Sequence, residues 1–279
     1  MKRIVGLREI ADQFDLFLVD QYGVLHDGVV AYPGAVDGLV KIAAGGRKAI
    51  VLTNSGKDAA ANLARLSALG FAASSLDAVV SSGDVALQLI KNGAFGPQFA
   101  RDADVCVIGR RGDTYVFSPD DFRLVSRPHD ASFLVLAGSD APRTTLDDYR
   151  SMLTAAAQAN VSAICVNPDI TMIRDGELVP GPGAIVRVYK SLGGKVEYVG
   201  KPSRAIFDHA VEIAAMGPHA RVVVIGDSPE HDVAGARAIG LSTLLVRTGI
   251  HRHLPEQQLL QICEGCRGTP DFLMAAFEW

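Results

Sequence analysis

The chain has 279 residues, 48% hydrophobic and 21% charged, with 27 Lys and Arg against 31 Asp and Glu for a formal charge of -4. That length allows one large domain or two medium ones around a sizeable core, and the composition excludes disordered and fibrous classes. No dense basic run is present, and no stretch reaches the roughly 18 apolar residues of a membrane-spanning helix, so neither nucleic acid nor a membrane is expected as a partner.

In chain order, MKRIVGLREIADQFDLFLVD is broken by charges every few residues and offers no apolar signal-peptide core, which predicts a cytoplasmic protein. Short apolar runs then alternate with helix-period segments. Residues 14–20, 48–54, 105–109, 132–138, 162–167, 221–227 and 242–247 read as buried strands. Residues 33–44, 58–69, 84–91, 145–159, 183–192, 203–216 and 232–239 have the spacing of amphipathic helices. Pro33 suits a first helical turn, and Gly70, Gly193 and Gly217 follow helical ends. The alternation predicts an α/β fold on a Rossmann-like parallel sheet. The middle of the chain holds enough elements for a domain of its own, so residues 1–80 plus 178–279 are expected to form a core interrupted by an inserted α/β domain of residues 81–177.

Three strands end in polar residues: Asp20, the pair Thr53 and Asn54, and Asp227 after Gly226. In open parallel sheets the carboxyl ends of strands converge on one crevice, so these side chains can meet there. Each has an ordinary reading beside the functional one. Asp20 suits a turn in DQYG as well as a working carboxylate. Thr53 and Asn54 suit either anion binding at a helix start or simple capping. Lys201, beside Pro202, is either a solvated lysine or a point charge for a phosphate. Asp227 and Asp232, five residues apart, are two helix caps or a pair of oxygen ligands for Mg²⁺.

The remaining signals are weaker. Cys106 and Cys165 lie in strand-like runs, while Cys263 and Cys266 form a CxxC without the second pair that a zinc site needs. The histidines at 231, 251 and 253 read as loop residues. The C-terminal DFLMAAFEW is expected to dock a terminal helix on the core, with a homodimer contact as the alternative.

Taken together and in this order, DQYGV, LTNSG, GKP and GDSPEHD resemble the four motifs of the haloacid dehalogenase superfamily. The place of the insertion and the string NPDITMIRDGELVPGPG at 167–183 resemble class IIA, the branch containing sugar-phosphate, nucleotide and p-nitrophenyl phosphatases. The resemblance runs from about residue 16 to residue 249. It implies a phosphatase acting on a small phosphorylated metabolite, with Asp20 attacking phosphorus to form an aspartyl-phosphate while Thr53 and Lys201 hold the phosphoryl oxygens. It further implies Mg²⁺ held by Asp20, the backbone carbonyl of Tyr22 and Asp227, with Asp232 orienting Lys201 or metal-bound water. Asn54 and the amides of Tyr22 and Gly23 are implied as further phosphoryl contacts, and the turn from Asn167 to Asp169 as part of the cap over the site.

One residue departs from the pattern. Phosphatases of this superfamily carry a second Asp two residues after the nucleophile, as general acid and base; here that position is Tyr22. A phenol of ordinary pKa about 10 can give a proton but is a poor base for water. His26 or Asp27 is a candidate replacement. Tyr at this position also resembles the metal-free 2-haloacid dehalogenases of the superfamily, and a phosphate-binding protein with little turnover is a further alternative. The retained Asp227 favours a cation and phosphoryl chemistry.

Overall fold

Short apolar runs form the strands of the computed structural model, which describes residues 1–174 and 177–279. Asp175 and Gly176, within the string at 167–183, lie outside the described residues. The chain divides into two units, one of Met1–Thr53, Ala59–Val80 and Lys201–Trp279, the other of Asn54–Asp58 and Ser81–Gly200.

The first unit begins with β1 (Lys2–Arg3), β2 (Leu16–Val19), α1 (Ala35–Ala44), β3 (Lys48–Thr53), α2 (Ala59–Ala68) and β4 (Ala78–Ser81). The second holds α3 (Ser82–Lys91), β5 (Asp104–Ile108), β6 (Arg123–Leu124), β7 (Phe133–Leu136), α4 (Leu146–Gln158), β8 (Ser162–Cys165), β9 (Thr171–Arg174), β10 (Glu177–Pro180), α5 (Pro182–Ser191) and β11 (Val196–Tyr198). The chain then returns to the first unit with α6 (Arg204–Ala214), β12 (Val222–Gly226), α7 (Ala234–Ala238), β13 (Ser242–Val246), α8 (Glu256–Gly265) and β14 (Phe272–Met274).

In the first unit the sheet order is β1-β14-β13-β12-β2-β3-β4, with β2 parallel to both β12 and β3. Every residue of β2 is buried, as expected when helices cover both faces of a parallel sheet. Alternation sorts the side chains by face. Phe17, Val19, Ala49, Val51, Val223 and Ile225 join Leu39 and Ile42 of α1 in one core, while Leu16 and Leu18 point the other way. Burying each such side chain contributes roughly 1.5–3 kcal/mol. Helix starts follow local chemistry: the Thr145 hydroxyl accepts the Asp148 amide while the Asp148 carboxylate accepts the Thr145 amide, a reciprocal cap on α4.

In the second unit the sheet order is β11-β8-β7-β5-β6, parallel throughout, beside an antiparallel hairpin of β9 and β10. Two expectations need correction. Residues 54–58 and 178–200, assigned from sequence to the core domain, belong to the second unit, the latter because β11 pairs with β8 and α5 packs its Ile185, Val186 and Tyr189 into that unit's core. The C-terminal aromatic run forms a strand rather than a helix. Its Phe272 pairs with both Leu244 and Lys2, and Leu273, Met274 and Phe277 are buried in the unit's own interior. Among the described residues no helix is long and apolar enough to cross a membrane.

Candidate active site

The strands of the first sheet are laid down outward from the middle: β2, β3 and β4 in one direction, β12, β13 and β14 in the other. The order reverses between β2 and β12, where loops leave toward opposite faces and open a crevice at the strand carboxyl ends. Asp20 follows β2 there, its amide donating to Ile225 O at 2.8 Å. Asp227 follows β12, and Thr53 closes β3. Thr53, Asp20, Asp227 and Asp232 are all under 9% exposed.

Carboxylate oxygens of Asp20, Asp227 and Asp232 lie within 4.8 Å of one another, the one such group of three or more potential ligands among the described residues. Lys201, 2% exposed, reaches into the group. Its Nζ donates to Asp20 Oδ1 at 2.6 Å, Asp232 Oδ1 at 2.7 Å and Leu52 O at 3.1 Å. Burial alone would lower the Lys201 pKa, but Asp20 and Asp232 outweigh it and hold the ammonium charged. Three carboxylates against one ammonium leave excess negative charge in a desolvated place. Asp227 registers this: burial first, then Asp20 and Asp232, raise its pKa well above the usual carboxylate range. A divalent cation fits this donor set, since hard oxygen ligands and uncompensated charge are what Mg²⁺ or Ca²⁺ requires.

Glycines let the acids sit this close to the backbone. At Gly23, with φ +85°, a Cβ would fall 2.2 Å from Asp227 Oδ2, and at Gly249 1.8 Å from the same atom. The Ile250 amide donates to Asp227 Oδ2 at 3.0 Å, and the Thr248 hydroxyl donates to Gly23 O. Asp232 lies within a single π turn, Pro229–Val233, ahead of α7 rather than at a plain helix start. Its Oδ2 accepts the Ser228 amide at 3.2 Å.

The Gly23 amide, expected as a phosphoryl contact, donates instead to His26 O at 2.9 Å. Tyr22 is 43% exposed; its ring stands edge-on to His26 with centroids 4.5 Å apart, and the Arg65 guanidinium lies 5.9 Å from its centroid. Neither candidate replacement for the missing carboxyl is free to act as a base. His26 is fully buried, and its Nδ1 accepts the Gly28 amide at 2.9 Å, which leaves the proton of the neutral ring on Nε2. Burial, with Arg65 beside it, lowers its pKa to about 4. Asp27 Oδ1 accepts the amides of Val29 and Val30, both at 2.8 Å, and so serves the turn.

Asn54, Asn167 and Asp169 come together in the second unit: Asn54 Nδ2 donates to Asp169 Oδ1 at 3.0 Å, and the Asp169 amide donates to Asn167 Oδ1 at 2.9 Å. Cys263 and Cys266 are free thiols, the former pushed to about 11 by burial, and among the described residues they join no group of three or more potential metal ligands. The sequence reading missed the 248–250 loop against Asp227 and the Leu52 carbonyl on Lys201. Gly249, three residues past the end of β13, was the available signal for the first; a backbone carbonyl leaves none.

A family model described as haloacid dehalogenase-like hydrolase matches residues 17–123, and one described as HAD-hydrolase-like matches residues 198–265. The D-glycerol 3-phosphate phosphatase of Mycobacterium tuberculosis is 30% identical over 246 residues, 88% of this chain; the chain spans 66% of that relative's length. A solved haloacid dehalogenase-like hydrolase from Brucella suis 1330 superposes with a TM-score of 0.83 at 28% identity, covering 98% of this chain and 99% of the other. A glycerol phosphate phosphatase from Mycobacterium tuberculosis, solved in complex with calcium, gives 0.67 at 27% identity, covering 86% of this chain and 68% of that one. With two family models covering most of both motif-bearing segments and the motif residues gathered at one strand reversal, the chain belongs to the class IIA haloacid dehalogenase-like hydrolases.

Proposed function

We propose that the chain is a Mg²⁺-dependent phosphate-ester hydrolase that acts on a small phosphorylated metabolite through an aspartyl-phosphate on Asp20. The observation that carries this reading is the Lys201 ammonium held between Asp20 and Asp232 inside a group of three buried carboxylates. Asp20, Asp227 and the Tyr22 carbonyl are the residues that would hold the cation, which when bound offsets the charge of both the acids and the incoming phosphoryl group. Asp20 Oδ forms a bond to phosphorus as the ester oxygen leaves with its electron pair. Lys201 and Thr53 stabilise the equatorial oxygens, and Asp232 fixes Lys201 for that task. Water then attacks phosphorus as the P–O bond to Asp20 breaks; phosphate leaves carrying the water's protons, and Asp20 returns to the carboxylate.

Tyr22 shapes the substrate class. General acid and base assistance is worth roughly 10²- to 10⁴-fold, and position 22 carries no carboxyl while His26 and Asp27 are committed to the loop. Leaving groups that need no proton are therefore favoured: aryl and acyl phosphates over alkyl ones. Sugar and glycerol phosphatases among the relatives support a phosphorylated substrate, and the four free thiols fit a cytoplasmic setting.

A panel of p-nitrophenyl phosphate, acetyl phosphate and glycerol 3-phosphate, with and without Mg²⁺, tests this reading. Phosphate release is expected to require Mg²⁺ and Asp20 and to fall from aryl and acyl to alkyl esters. Metal-independent halide release from a 2-haloacid with no phosphate release would overturn it in favour of dehalogenation. Saturable Mg²⁺-dependent phosphate binding with no release from any ester would make the chain a phosphate-binding protein.

A further inference from the structure

The rule that locates the Asp20 crevice applies a second time. In the second unit the chain lays β6 on one side of β5 and then β7, β8 and β11 on the other, so the order reverses between β5 and β7. The carboxyl ends of those two strands should flank a crevice of their own. Residues 109–112 after β5 read Gly-Arg-Arg-Gly, and a cavity of about 370 Å³ opens at them, lined from β5, the loop after it and Leu124 of β6, with the β7 end bracing the loop. Val107, Phe117 and Leu124 contribute apolar wall, and Arg110, Arg111 and Thr114 contribute polar lining.

The loop carrying the arginines is held from beneath. The Arg110 amide donates to Tyr115 Oη at 2.9 Å, and the Arg111 amide donates to Asp140 Oδ1, beyond β7, at 3.3 Å. Gly138, also beyond β7, admits the Tyr115 hydroxyl, which would lie 2.2 Å from a Cβ there. The carboxylate in the cavity lining, Asp113, is engaged by Lys57 at 3.1 Å. Both guanidinium groups are exposed and have no ion-pair or hydrogen-bond partner among the described residues. Two uncompensated guanidinium groups beside an apolar wall match a ligand with an anionic head and an apolar body. The volume falls in the range of small-molecule sites, roughly 300–1,000 Å³, and arginine pairs with phosphate through two parallel N–H donors.

We propose that this cavity is a second ligand site, binding a small organic phosphate of nucleoside-monophosphate size with its phosphate on Arg110 and Arg111 and its ring against Leu124 over the edge of Phe117. The site stands on the second unit alone and is independent of the reading of Asp20.

Calorimetric titration of the full chain with adenosine monophosphate in EDTA tests it, because without a cation the three carboxylates of the first unit repel an anion. Saturable binding is expected, weakened about tenfold or more in R110A/R111A and partly kept in R110K/R111K, which retains charge without the planar fork. Inorganic phosphate should bind more weakly than the nucleotide. No saturable binding by the wild type, or unchanged affinity in an R110A/R111A variant that melts like the wild type, would overturn the proposal; equal affinity for inorganic phosphate would overturn the role of the apolar wall. A chain that releases no phosphate from any ester yet passes this titration would fail the hydrolase reading alone.

Discussion

The two parallel sheets of this chain reverse their strand order in the same manner, yet the reversals carry opposite charge in opposite surroundings. In the first unit three carboxylates and one ammonium are buried and tied to backbone amides and to one another. In the second, two guanidinium groups stand exposed on a loop whose backbone alone is pinned. The difference separates what bond-making needs from what binding needs. Charges held out of water act strongly on a reacting group but depend on every partner, whereas exposed charges capture an anion at little structural cost.

Position 22 sharpens that contrast most. Tyr22→Asp restores a carboxyl beside Asp20 and is expected to raise turnover of alkyl phosphates by roughly 10²- to 10⁴-fold, with a much smaller gain on aryl phosphates. Steady-state kinetics on matched aryl and alkyl esters check it; equal gains on both would show that Tyr22 does not limit leaving-group protonation. The next effect is on stability. Lys201→Met leaves Asp20 and Asp232 buried without their shared partner, at a cost of about 3–5 kcal/mol measured by urea unfolding.

His26 gives the first unit a pH dependence. Its folded pKa of about 4 lies below the ordinary 6.5, so the unfolded chain binds the proton more readily. The stabilisation is complete above pH 6.5 and is lost as pH falls toward 4, about 3 kcal/mol in total. Urea midpoints across this window should drop in the wild type and flatten in His26→Asn. The smallest expected change is in the second unit: R110A/R111A should shift stability by no more than about 0.5 kcal/mol, because both side chains are exposed. A loss near that of Lys201→Met would erase the distinction between the two reversals.

How much of this was readable in the sequence depended on the range of the interactions. Asp20, Thr53 and Asp227 were found because an apolar strand ending in a polar residue is a local pattern, and the sheet brings such ends together without further information. The strand β11 is three residues long and exists through its pairing with β8, so the second boundary of the insertion fell too early. The strand β14 reads as a helix from sequence because a spaced aromatic run fits either period until β1 and β13 are placed beside it. The Gly23 amide, the His26 tautomer and the Leu52 carbonyl on Lys201 depend on backbone geometry that residue types do not encode.

The central claim is that Asp20 accepts a phosphoryl group. Incubating the chain with Mg²⁺ and acetyl phosphate, quenching in acid and mapping peptides by mass spectrometry tests it directly. One phosphoryl group is expected on the peptide containing Asp20, lost on treatment with hydroxylamine and absent from Asp20→Asn. Phosphate release with no phosphoryl group on that peptide at any quench time, or with release undiminished in Asp20→Asn, would contradict it.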